Sequence, residues 1–149
     1  MTDIRFYHLQ SQSLEQALPA LLSKALEKGS RIVVKAGEAK DVERLNEVLW
    51  TFDPNSFLPH GSAKDGQPQD QPIWITATDE NPNNADVLIL TGGTESAMQG
   101  DFKLCCDMFD GRDEDAVAGA RARWKTYKEA GHSVTYLQQT DRGGWETKS

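Results

Sequence analysis

The only two cysteines of this chain, Cys105 and Cys106, stand side by side. Neighbouring strand residues point to opposite faces, so a bridge between them would be strained, and one thiol is expected to be buried. No second pair exists to complete a zinc site. His8, His60 and His132 are far apart, in an expected strand, a loop and a helix-to-strand turn, so no metal or other cofactor is expected. No stretch approaches the roughly 20 apolar residues of a membrane helix. The start, Met1 to Tyr7, lacks a basic region followed by a long apolar run, so a cytoplasmic protein with no membrane contact is expected. The chain also lacks a Walker lysine, a dinucleotide fingerprint and a Gly-x-Ser-x-Gly elbow. Carboxylates such as Asp41, Glu43 and Glu47 lie on a solvated helix face, and no catalytic residue stands out.

What remains is an acidic globular chain of 149 residues, net charge -7, 38% hydrophobic and 26% charged. That length suits one domain, here residues 1–149 with a polar, frayed tail from about residue 139. A strand is expected over 5–9. Ser13 then caps a helix, with Gln16 completing a capping box and Gly29 stopping it. Pro19 is awkward inside that helix. Residues 31–35 form a short apolar run, typical of a buried strand. A second helix is expected over 39–50, strands over 73–76, 87–90 and 102–109, a last helix over 113–130 and a last strand over 133–138. Residues 51–72 form the longest irregular stretch. The order predicts an α/β fold, a mixed and partly parallel sheet, with the first two helices on one face and the last on the other.

Gly92-Gly93, after a strand, is a candidate phosphate loop, because glycines there can expose backbone N–H groups to an anion. It lacks the partner residues of known loops and reads better as a tight turn after an edge strand; a nucleotide-binding or small-molecule enzyme there is the alternative function. Trp50, Phe52 and Phe57 gather at a helix end and in a loop, either covering the sheet edge or docking a partner. The last helix carries Arg121-Ala122-Arg123-Trp124-Lys125-Thr126-Tyr127-Lys128, four cations and two rings in eight residues. At about 100° per residue, Val117, Ala120, Trp124 and Tyr127 share an arc of roughly 80°, an apolar stripe. Arg121, Lys125 and Lys128 form a row beside it. Helix-dipole relief needs only the last turn, and Arg121 lies further back. Such a row beside an aromatic edge suits a carboxylate-rich peptide better than a broad nucleic-acid surface.

Four segments carry a resemblance: Phe6-Tyr7-His8-Leu9, Arg44-Leu45-Asn46-Glu47-Val48-Leu49-Trp50, Asn55-Ser56-Phe57-Leu58-Pro59-His60, and the last helix from Ala120 to Gly131. In this order they resemble the chi subunit family of the bacterial DNA polymerase III holoenzyme, over roughly residues 4 to 138. The resemblance implies a Rossmann-like fold without a working nucleotide site and a non-catalytic clamp-loader accessory. It implies two partners. One is the acidic C-terminal tail of single-stranded DNA-binding protein, met by Arg121, Trp124 and Lys125, with Lys128 beside them. The other is a psi subunit, met by Trp50 and Phe57. Trp124 stands where the family usually has a tyrosine-type ring.

Overall fold

Residues 2–51, 60–62, 66–96, 98–142 and 144–148 are described in this computed structural model. They form an eight-stranded sheet in the order β3-β4-β2-β5-β6-β1-β7-β8. The strands are β1 (Asp3–Leu9), β2 (Ile32–Lys35), β3 (His60–Ser62), β4 (Ile73–Thr76), β5 (Val87–Leu90), β6 (Leu104–Asp110), β7 (Ser133–Gln139) and β8 (Trp145–Lys148). All neighbours pair parallel except β7 and β8. The central runs Ile32-Val33-Val34, Ile73-Trp74-Ile75 and Val87-Leu88-Ile89-Leu90 are buried throughout, because helices cover both faces of a parallel sheet.

Helices α1 (Leu14–Glu27) and α2 (Ala39–Thr51) pack on one face, and α3 (Glu114–Glu129) packs on the other. Ser13 caps α1, its hydroxyl accepting from the Gln16 amide while the Gln16 side chain accepts from the Ser13 amide. Pro19 sits within the helix without ending it. Its missing N–H removes one bond of the ladder, the one that would reach back four residues to Glu15.

Four expectations are corrected. The tail beyond residue 139 turns back as β8, held by Trp145, whose ring meets Tyr7 edge-on at 4.9 Å. The strand before Gly92-Gly93 is not an edge: β5 lies between β2 and β6. Among the described residues its step to β6 carries a short 3-10 turn, Gln99–Asp101, and no crossover helix. His60 belongs to the short strand β3, not to a loop. Both cysteines are buried rather than one, Cys105 in the α3-side core and Cys106 in the α1-side core, because the sheet is covered on both sides there.

Alternation along the strands decides what faces α3. On that side the register aligns Ile4 with Cys105 and Val134, Phe6 with Asp107 and Tyr136, and His8 with Phe109 and Gln138. Asp107 is therefore a carboxylate inside an apolar layer. Arg123 of α3 meets it in a bidentate pair, Nε to Oδ2 at 2.6 Å and Nη2 to Oδ1 at 3.0 Å, with both residues buried. Burial pushes the Asp107 carboxyl above its usual range, and the two bonds from Arg123 pull it back. Removing one member leaves the other charged, dry and alone. Arg123→Ala is expected to cost about 3–5 kcal/mol in denaturant unfolding. Arg123→Met with Asp107→Leu is expected to recover most of that loss; a double variant as unstable as the single one would show that the charges contribute more than fixed geometry.

Candidate functional site: the outer edge of the last helix

Asp113 starts α3, its carboxylate accepting from the amides of Asp115 at 3.0 Å and Ala116 at 3.4 Å. Glu114 and Asp115 follow in the first turn, Lys128 stands in the last, and Gly131 with φ +89 ends the run. The buried residues of the helix are Ala120, Arg123 and Tyr127. Compared with the stripe expected from the sequence, the inward face is turned by about 45° toward Arg123. Val117 and Trp124 consequently stand at the flank, half-buried, instead of at the centre.

That rotation shapes the site. The Trp124 ring lies 5.7 Å from Phe6 and 5.9 Å from Tyr136, centroid to centroid, and Lys128 Nζ sits 5.5 Å from its own centroid. Arg121, Lys125 and Lys128 are exposed, and among the described residues none of them has an ion pair. Arg123, the fourth cation of the segment, is withdrawn into the pair with Asp107. The structure thus brings together Arg121, Trp124, Lys125 and Lys128 on one helix edge.

Three neighbours were not foreseen. His8 and Tyr136, both half-buried, continue the aromatic surface beneath Arg121 over the buried Phe109: His8 meets Phe109 at 5.1 Å, Phe109 meets Tyr136 at 6.1 Å, and His8 Nδ1 is hydrogen-bonded to the Tyr136 hydroxyl. Partial burial and then the Arg121 charge hold His8 below its usual value of 6.5. Burial raises Tyr136, and Arg121 opposes that rise. Both effects require Arg121 to lie close to the pair. A signal existed in the sequence: alternate residues of β1, β6 and β7 point one way, but only tertiary pairing shows that they point at α3.

Trp50 ends on the opposite face, in the last turn of α2, 52% exposed with its ring 4.7 Å from that of His60. Phe52 and Phe57 lie outside the described residues. The expected Trp50–Phe57 pairing therefore has only its first member in view, and it is remote from α3, toward the β3 edge of the sheet.

Gly92 and Gly93, with φ +63 and +76, turn the chain after β5 and line a cavity of about 510 Å³ with Asp110, Arg112, Asp113 and Arg123. This is where an open α/β sheet commonly holds a ligand. Here the helix start that would meet a phosphate is filled by the Asp113 side chain, with Asp115 also on the wall. Among the described residues no helix is long and apolar enough to cross a membrane.

Comparison with known proteins adds the last observation. Residues 1–135 match the family model described as DNA polymerase III chi subunit, HolC. A protein of Rickettsia prowazekii (strain Madrid E), named as a probable DNA polymerase III subunit chi, is 36% identical over 97 residues, 65% of this chain and 59% of that protein. The DNA polymerase III subunit chi of Escherichia coli (strain K12) is 25% identical over 142 residues, 90% of this chain and 96% of that protein. The family match spans β1 to β6, all three helices and the cationic edge of α3, so the chain belongs to the DNA polymerase III chi subunit family.

Proposed function

We propose that this chain is a non-catalytic accessory of the cytoplasmic replication machinery. Its role is to hold the acidic C-terminal tail of single-stranded DNA-binding protein and tie it to the polymerase III clamp loader. One observation carries the reading: Arg121, Lys125 and Lys128, unpaired among the described residues, flank a half-buried Trp124 in a chain of net charge -7. The cations suit the carboxylates of such a tail, with Arg121 able to take a terminal carboxylate through two parallel bonds. The half-buried Trp124 and Tyr136 rings suit its apolar terminal side chain. Trp50 is proposed as the anchor for a second subunit of the psi kind, since a half-exposed tryptophan is a frequent interface residue.

The other reading is a nucleotide or small-molecule enzyme at Gly92-Gly93. Against it stands the crevice's own pairing: its arginines Arg44, Arg112 and Arg123 already meet carboxylates, and the helix start is capped by Asp113. Nucleotides are expected to leave the melting temperature unchanged.

Titration with an acidic peptide ending in Asp-Ile-Pro-Phe is expected to show binding in the micromolar range that weakens with added salt. Arg121→Ala is expected to weaken it at least about tenfold; equal affinity in that variant would remove the pocket assignment.

Binding should also be linked to protons. Arg121 helps hold His8 below 6.5, so a carboxylate on Arg121 lets the His8 pKa rise again. The complex then binds more protons than the free partners, and affinity rises as pH falls through the window below 6.5. Calorimetry at pH 7.5 and 5.5 checks this: proton uptake is expected in the natural chain and absent in His8→Gln.

A further inference from the structure

The face opposite α3 carries a second cluster of cations. Between α1 and the β7–β8 hairpin lies a recess of about 450 Å³, within the range of about 300–1,000 Å³ usual for small-ligand sites. Its floor is sheet: Ile89 and Cys106 are buried side chains that still line it, and Leu137 and Trp145 close the far wall. Burial raises the Cys106 thiol to about 12, so the floor stays neutral and apolar.

The charged side chains that line the recess are Arg5, Lys24 and Lys28, with no carboxylate among the described residues of the lining. Lys24 and Lys28 have no ion pair among the described residues, and Arg5 has only a loose one with Asp3, at 3.7 Å with both side chains exposed. The C-terminal dipole of α1 accounts for two of these cations. It does not account for Arg5, which rises from β1 in register with Cys106. Because α1 runs back across the parallel strands, its last turn lies beside the start of β1. Lys24 and Lys28 come from the C-terminal end of α1 and Arg5 from the first half of β1, whereas Gln12 just precedes α1, Ala17 comes from its start and Trp145 from β8; all of them line the recess.

A recess with a cationic end and an apolar, aromatic end matches a molecule built the same way. We propose that it binds a small amphipathic anion: one carboxylate at the Arg5, Lys24 and Lys28 end, and an apolar body along Cys106, Leu137 and Trp145. A nucleotide or polyphosphate does not fit, because most of the lining offers such charges no partner. The site is independent of the cationic edge of α3, from which the sheet separates it.

The test is calorimetric titration with dodecanoate below its micelle concentration, with Trp145 fluorescence as a second readout. Saturable one-to-one binding is expected, about tenfold weaker in Lys24→Ala/Lys28→Ala and about tenfold weaker for dodecanol. Ala25→Trp, which fills the recess, is expected to abolish it in a protein whose circular dichroism is unchanged. The double lysine variant, exposed on the surface, decides the matter should Ala25→Trp fail to fold. Arg121→Ala is expected to leave dodecanoate affinity as it was, whatever happens to the acidic peptide. No saturable binding, equal binding in the lysine variant, equal binding of dodecanol, or loss in Arg121→Ala would each overturn the proposal.

Discussion

The Arg123–Asp107 pair sets the orientation of α3, and the character of the outer surface follows from it. A buried bidentate pair tolerates little displacement, because each lost bond leaves a dry charge behind. The helix is thereby held with Ala120, Arg123 and Tyr127 inward. Had the apolar residues alone decided, Val117 and Trp124 would have turned fully into the sheet and the aromatic edge would have vanished from the surface. Instead Trp124 stops at the border, with Phe6 and Tyr136 on one side and Lys128 over its ring. The orientation has a cost: the Tyr127 hydroxyl is buried with no hydrogen bond among the described residues, and burial raises it well above its ordinary value.

Charge is distributed in the same spirit. The chain is acidic overall, yet cations that lack ion pairs among the described residues include Arg121, Lys125 and Lys128 on α3 and Lys24 and Lys28 at the end of α1. Elsewhere, cations such as Lys35 and Arg44 meet carboxylates. Like charges along one helix edge repel, so concentrating them there favours a partner that brings the missing carboxylates. The crevice above Gly92-Gly93 shows the reverse arrangement. The place where related architectures often meet a phosphate carries Asp110, Asp113 and Asp115 beside arginines that already hold carboxylates, Arg112 on Asp110 and Arg123 on Asp107, so the fold retains the shape of such a site with its cations already paired.

Much of the architecture was legible in the chain. The Ser13–Gln16 capping box, the apolar runs at Ile32, Ile73 and Val87, and the acid-to-base polarity of α3 are local signals, set by backbone hydrogen bonding and side-chain period. The two-faced placement of helices followed from the handedness of parallel crossovers. Less was legible where a residue depends on distant neighbours. Strand β8 escaped notice because Trp145 is one apolar residue in a polar tail, given a place only by Tyr7, far away in sequence. Arg123 was counted among the segment's four cations and given no partner for the same kind of reason. The lone acid in Leu104-Cys105-Cys106-Asp107-Met108-Phe109 was the visible hint of its partner.

The sequence by itself determined the three helices and the longer apolar strands, the fold class, the family resemblance and the identity of the cationic, aromatic segment, because periodicity, capping and local charge are written within a few turns of chain. Tertiary structure alone decided which cations remain available. Arg123 and Arg121 are two residues apart, yet one is sealed against Asp107 and the other stands in solvent over His8 and Tyr136. That division depends on the rotation of a helix about its axis, and the rotation is set by a carboxylate on a strand across the core.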